Sequence, residues 1–256
     1  MGHVIFIGAG PGAADLITLR GARALARADV VLHDALADPA LREHAPRAHW
    51  IDVGKRGFEH STAQATIDRM LVEMARTHGC VVRLKGGDPS VFGRLEEELQ
   101  VLAREGIACE VIPGVTAALA AAADALRPLT RRGQGRSVGL ATAVTRTGDV
   151  HAVRHADTEV FYMAGRQLPH LAERLAEAGW PPGTPCSVVS RAGWPDSLHT
   201  VHALERLHEA AAPHEGRPTV VVVGAGAAAI DAPGVASMPK LAGLEQPQES
   251  VQTLAP

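Results

Sequence analysis

Three short, mostly apolar runs in the first half of the chain each end in a glycine-bearing turn, and this recurrence restricts the fold more than any other feature. Residues 3–7 lead into Gly8-Ala9-Gly10-Pro11-Gly12-Ala13, residues 81–84 into Lys85-Gly86-Gly87-Asp88-Pro89, and residues 109–112 into Pro113-Gly114-Val115-Thr116-Ala117. Short apolar runs of this kind read as strands buried on both faces, the pattern of a parallel sheet. Residues 29–33 and 50–53 supply two more. Longer stretches of helical spacing fall between them: 16–28, a helix to His78 opened by a Ser61-x-x-Gln64 capping box and stopped at Gly79, and 94–105, stopped at Gly106. Strand, helix, strand at this rhythm predicts an α/β fold, with all three turns on one edge of one sheet, where such folds bind ligands.

A second series follows, with strands expected at 138–143, 159–163, 187–190 and 219–223 and helices at 168–178 and near 201–211. The chain therefore divides into an N-terminal parallel-sheet α/β domain (1–114), an Arg-rich connection (115–135), a C-terminal α/β domain (136–230) and a disordered tail (231–256). Hydrophobic residues make up 46% and net charge is −3, which argues against disorder and against a nucleic-acid or anionic-membrane partner. No apolar run is long enough to span a bilayer. The N-terminus reads as a strand, not a secretory signal. Cys80, Cys109 and Cys186 are scattered and odd in number, which fits a reducing cytoplasm better than a disulfide framework. His151 with His155, and His199 with His202, have ligand-like spacing but no accompanying cluster, and no metal is expected.

Each turn has a plain reading and a functional one. The first matches a loose dinucleotide fingerprint, with Asp34 as ribose partner, or is simply a tight turn. The second forms an irregular turn at a strand end. In the third, Thr116 is a possible helix N-cap. Their coincidence departs from the dinucleotide pattern, which uses the first turn alone.

Taken in order, Gly8-Ala9-Gly10-Pro11-Gly12, Asp34, Val53-Gly54-Lys55-Arg56, Val82-Arg83-Leu84-Lys85-Gly86-Gly87-Asp88-Pro89, Val91-Phe92-Gly93-Arg94, Ile112-Pro113-Gly114-Val115-Thr116 and Pro128-Leu129-Thr130 resemble the tetrapyrrole (corrin/porphyrin) methyltransferase family. The likeness holds at matching spacings from about residue 3 to 133 and continues more faintly to Val223. It is nearest to the members that act on uroporphyrinogen III. The resemblance implies a class III methyltransferase-like fold of two α/β domains with a ligand cleft between them, and a homodimer for which residues 118–123 offer a small-residue helix face. It implies S-adenosyl-L-methionine as methyl donor, S-adenosyl-L-homocysteine as product, and methylation of the tetrapyrrole at C2 and C7 to give precorrin-2 for corrinoid or sirohaem synthesis. Pro11, Gly86, Gly87, Asp88, Val91, Thr116, Ala117, Met163 and Ala192 stand at positions that line the donor pocket. Asp34 and Lys55 stand at those of proton acceptor and donor, and Arg94, Glu97 and Arg132 at those that hold the tetrapyrrole.

The chemistry suits these residue types. Methyl transfer from a sulfonium is an in-line displacement, so positioning supplies much of the acceleration. A proton must also leave the acceptor, which a carboxylate can assist. A polycarboxylate substrate calls for guanidinium forks, and residues 125–147 carry Arg127, Arg131, Arg132, Arg136 and Arg146 with no acid. A solvated linker is the plain reading of that stretch. Departures from the family fall on the acceptor side. Leu95 and Glu96 replace a glycine pair, Arg127 and Arg131 replace Ile and His, Thr145-Arg146-Thr147 stands near a missing Thr-Gly-His, and Asp124-Ala125 replaces a tyrosine-glycine. They leave open a later precorrin or another specialised substrate. An NAD(P)-dependent Rossmann oxidoreductase and a binding-only sensor are the remaining rivals.

Overall fold

The computed structural model describes residues 2–54, 63–144 and 149–230. Lys55, the capping-box Ser61, Thr145-Arg146-Thr147 and the tail from 231 lie outside the described residues. The first sheet contains β1 (His3–Gly8), β2 (Val30–His33), β3 (His49–Asp52), β4 (Cys80–Lys85) and β5 (Ala108–Ile112), in the order β3-β2-β4-β1-β5. Every pairing is parallel. Alternation along the strands divides the core: Val4 and Phe6 of β1 pack toward α2 (Gln64–Thr77) and α3 (Leu95–Arg104), whereas Ile5 and Ile7 face α1 (Leu19–Leu25). Burying Phe6 completely contributes roughly 1.5–3 kcal/mol. Thr18 caps α1 by accepting the Gly21 amide at 3.0 Å, and Gly106, at φ 65°, ends α3 as expected.

The expected helix start at Ser61 is corrected. Ala63 is the N-cap of α2 and Gln64 its first residue, so Gln64 is not at the capping-box position. Its side chain instead donates to Asp68 at 2.8 Å and Glu98 at 3.3 Å.

Residues 115–135 are more than a connection. They contain α4 (Ala117–Asp124), whose Ala118, Ala120 and Ala121 are buried against Val160, Val189, Val220 and Val222 of the second sheet. The small-residue face expected to receive a second copy is thus largely used inside the chain, because only small side chains let α4 lie close to that sheet. The second sheet contains β6 (Val138–Thr142), β7 (Thr158–Tyr162), β8 (Pro185–Ser190), β9 (Leu198–Ala203) and β10 (Thr219–Gly224), in the order β6-β7-β10-β8-β9. β6 and β7 are parallel and the other pairings antiparallel. α5 (Leu168–Glu177) covers the face opposite α4.

The helix expected near 201–211 is a second correction. Residues up to Ala203 belong to β9, and Leu204–Ala210 is a 3-10 helix. Buried Leu204, Leu207 and Ala210 recur every third residue, the 3-10 period, which mimics an amphipathic α-helix over so short a span. Among the described residues no helix is long and apolar enough to cross a membrane.

Candidate active site

The three turns follow β4, β1 and β5, which are neighbours, and they pack backbone against backbone. The Gly87 amide donates to Gly10 O at 2.7 Å and the Gly10 amide to Gly87 O at 3.3 Å. A Cβ at Gly8 would stand 2.5 Å from Gly114 Cα, and one at Gly114 would stand 2.3 Å from Gly87 O. Asp88 joins the second turn to the third, since its Oδ2 accepts the Gly114 amide at 2.9 Å while Oδ1 accepts the Ser90 amide at 2.8 Å. Glycine is required at 8 and 114 for close approach. At Gly87, by contrast, the constraint is the backbone itself: φ is 67°, a left-handed conformation, and a Cβ there would stand in ordinary van der Waals contact with Thr116 Cα and Val115 O, both at 3.8 Å.

The opposite wall comes from the second sheet. β7 and β8 both run antiparallel to β10, so their carboxyl ends emerge on one edge, carrying Met163 and Ala192. That edge meets the first sheet at several points. The Ala13 amide donates to Gly193 O at 3.1 Å, Thr116 Oγ1 and Tyr162 Oη lie 2.7 Å apart, and the Phe92 and Tyr162 ring centroids are 5.0 Å apart. Burial raises the Tyr162 pKa, so its phenol is neutral and able to donate. Pro11, Gly86, Gly87, Asp88, Thr116, Ala117, Met163 and Ala192 therefore gather around one cleft. Val91 joins them through its amide, which donates to Asp88 O at 3.2 Å.

Asp34 ends β2 at the same edge. β4 separates β2 from β1, so the first glycine turn and Asp34 are not on adjacent strands as a dinucleotide site requires. The Asp34 carboxylate is instead held by Arg83 Nη2 at 2.6 Å and the Gly86 amide at 3.2 Å. Arg83 and Lys85 of the second motif, and Glu98, have no role in the sequence pattern, although two cations inside the buried run 80–85 are a signal. Glu98 accepts Arg83 Nε at 3.1 Å and Lys85 Nζ at 2.7 Å. Burial works to lower the Arg83 pKa, but Asp34 and Glu98 together outweigh it and the value is raised; burial, with Arg83 beside it, lowers that of Lys85.

Arg94 and Glu97 bind each other, with contacts of 2.8 and 2.5 Å at the half-exposed start of α3. That hydrogen bond raises the Arg94 pKa and lowers that of Glu97. Arg132 is exposed beyond α4 and joins none of these contacts. Two other arginines of the basic stretch serve the fold: Arg127 donates to Ala227 O, and Arg131 to Ala229 O at 3.0 Å. A cavity of about 480 Å³ lined by Arg154, Asp157 and Trp180 lies at the opposite end of β7 from Met163, away from the cleft. The described residues contain no cluster of three or more His, Cys, Asp or Glu arranged for a metal ion. His199 is bonded to Ser187 at 2.9 Å and His202 to Thr200 at 3.0 Å.

Residues 3–208 match the sequence profile of the Tetrapyrrole (Corrin/Porphyrin) Methylases. The chain belongs to this family. A siroheme synthase of Pseudomonas paraeruginosa is 41% identical over 230 residues, 87% of this chain and 50% of that protein. The chain thus spans about half the length of such relatives. A uroporphyrinogen-III C-methyltransferase of Pseudomonas aeruginosa is 44% identical over 195 residues, 75% of this chain and 80% of that protein. The structure of Thermus thermophilus uroporphyrin-III C-methyl transferase complexed with S-adenyl homocysteine aligns with a TM-score of 0.76 at 37% identity, over 87% of this chain and 97% of that one. Phe92 and Arg94 hold left-handed backbone, at φ 51° and 55°, just before Leu95 and Glu96. Non-glycine residues in that region carry strain of order 1 kcal/mol or more, which concentrates at ligand-binding segments.

Proposed function

We propose that the protein transfers methyl groups from S-adenosyl-L-methionine to uroporphyrinogen III, at C2 and then C7, giving precorrin-2 and S-adenosyl-L-homocysteine. The observation that carries this reading is the edge where three glycine turns on adjacent strands interlock backbone against backbone, facing the strand ends that lead to Met163 and Ala192. A relative named uroporphyrinogen-III C-methyltransferase, and a solved uroporphyrin-III C-methyl transferase complexed with S-adenyl homocysteine, support it. The residues present fit the donor: Gly86 and Gly87 put no side chain in the turn, Thr116 brings a hydroxyl to the same edge, and Pro11, Met163 and Ala192 supply apolar wall. The donor, when bound, supplies an electrophilic methyl on a sulfonium.

The chain's own residues do the rest. Asp34, anchored by Arg83, takes the proton that leaves the acceptor, and Lys55 is the proton donor. Arg94 exchanges Glu97 for a substrate carboxylate. An exposed ion pair is worth at most about 1 kcal/mol, so that exchange costs little. Arg132, free of the bonds that hold Arg127 and Arg131, grips a second carboxylate. The active species is a homodimer in the cytoplasm. Leu95 and Glu96, side chains at the entry to α3 where the family resemblance leads to a glycine pair, motivate one alternative acceptor, a later precorrin.

Calorimetric titration with S-adenosyl-L-homocysteine, with NAD as control, followed by turnover of uroporphyrinogen III, tests the proposal. Micromolar binding of the homocysteine product and formation of precorrin-2 are expected. Binding of NAD alone would overturn the donor assignment, and turnover of a later precorrin without uroporphyrinogen III would overturn the acceptor.

A further inference from the structure

The face of β4 that carries Val81 into the core beneath α2 and α3 turns charged toward its carboxyl end. Val81, Arg83 and Lys85 follow one another at the two-residue strand period, and all three are buried. Glu98 of α3 has no exposed surface and binds both cations. Every nitrogen of the Arg83 guanidinium is engaged: Nε with Glu98, Nη1 with the carbonyls of Leu32 at 3.4 Å and Leu84 at 3.2 Å, and Nη2 with Asp34. Of the four charged side chains, Asp34 alone has appreciable exposure, at 32%.

Burying this many charges is a poor way to stabilise a sheet, because desolvation offsets most of the Coulomb gain. An apolar set would join β4 to α3 as well, as Val81 already does. The network acts where it reaches solvent, at Asp34. We propose that Arg83, held on Glu98, is the positioning residue for Asp34. One carboxylate oxygen is committed to the guanidinium, and the other is aimed at the Gly86 amide, which places the proton acceptor in register with the turn that seats the methyl donor. This rests on the reading of Asp34 as proton acceptor. Lysine cannot replace Arg83, since a single nitrogen on a flexible stem cannot span Asp34 and Glu98 while also serving two carbonyls.

The test compares Arg83→Lys, Glu98→Gln, Asp34→Asn and the Asp34→Asn/Arg83→Lys double variant. Each is titrated with S-adenosyl-L-homocysteine to count competent sites and then assayed with uroporphyrinogen III. Arg83→Lys should lower kcat per competent site about ten- to hundredfold, with KM for the tetrapyrrole changed by less than about threefold. In the Asp34→Asn background it should cost nothing more. A loss of competent sites with unchanged kcat per site, or additive losses in the double variant, would overturn the proposal. If Arg83→Lys does not fold, the isosteric Glu98→Gln carries the same comparison. The Gly86 amide resonance supplies a readout that needs no substrate. It should move in Arg83→Lys toward its position in Asp34→Asn, and an unmoved resonance overturns the positioning role whatever the acceptor. Failure of the unaltered protein to methylate uroporphyrinogen III would instead refute the acceptor reading alone.

Discussion

A single methyl group added at Gly114 should dismantle the edge where the three turns meet. The Cβ of Gly114→Ala would stand 2.3 Å from Gly87 O and 2.7 Å from Gly8 Cα. Ordinary contact begins near 3.4 Å, so Gly87 O must retreat by 3.4 − 2.3, or about 1.1 Å. Both obstructing atoms are backbone, and no rotamer change relieves the clash. That carbonyl accepts the Gly10 amide, and the Gly87 amide donates to Gly10 O, so a displacement of this size stretches both bonds. Overpacking costs about 1–3 kcal/mol and each bond about 0.5–1.5, for roughly 2–6 kcal/mol in all. At about 2–4 °C per kcal/mol for a chain of this length, Tm should drop by roughly 5–20 °C. An ångström of misplacement in a ligand-seating turn should also weaken S-adenosyl-L-homocysteine binding by about tenfold or more. Gly183→Ala is the control, because nothing lies within 4 Å of its Cβ position. Calorimetric unfolding with and without the homocysteine compound reads both effects. A Gly114→Ala protein with the Tm and affinity of the parent would refute the interlocked-turn argument.

Asp88→Ala removes the acceptor for the Gly114 and Ser90 amides and should cost about 1–3 kcal/mol, together with about tenfold in homocysteine-product affinity by calorimetry. Tyr162→Phe keeps the ring against Phe92 but loses the bond to Thr116; a Tm lower by about 2–4 °C is expected, and an unchanged Tm would show that the bond ties nothing. Burial, with Arg217, His202 and His199 nearby, pushes His214 down to about 4 from an ordinary 6.5. Between those values the unfolded chain binds a proton that the folded one excludes, so stability should fall as pH drops from 6.5 to 4, by up to about 3 kcal/mol. His214→Leu should flatten that part of the urea-derived stability curve, and equal slopes would refute the assignment.

The sequence revealed most where one physical rule operates alone. β1 and β4 were legible because strands buried on both faces are written as largely apolar runs, and β5, an edge strand exposed over its first three residues, because it leads into a glycine turn like theirs. β9 was missed because its six residues form an edge strand with no continuous apolar signature, followed directly by a three-residue repeat that imitates a helix. The buried charges were harder still. Arg83 and Lys85 were in view within a motif, but their partner Glu98 lies in a run of acids at 96–98 where nothing local separates the one that faces inward. Helical geometry selects it, and the choice depends on where α3 meets β4. The same limit applies to the basic stretch. Five arginines suggested five free forks, whereas Arg127 and Arg131 are spent on carbonyls about a hundred residues away in sequence, at Ala227 and Ala229.

The two walls of the cleft are not independent, and α4 is the reason. The helix begins directly after Thr116, in the third glycine turn, yet Ala118, Ala120 and Ala121 are buried under β7, β8 and β10. Thr116 also meets Tyr162 at the end of β7, and the Gly193 amide after β8 donates to Asp124 at 2.9 Å, at the last turn of the same helix. Both ends of α4 are thus fixed to the edge that carries Met163 and Ala192. A shift of that edge must carry α4, and with it the turn that Asp88 and Gly87 share. Substitutions that loosen α4 on the second sheet should therefore change ligand affinity without touching a ligand-lining residue, because the geometry of the third turn is set from the far side of the cleft.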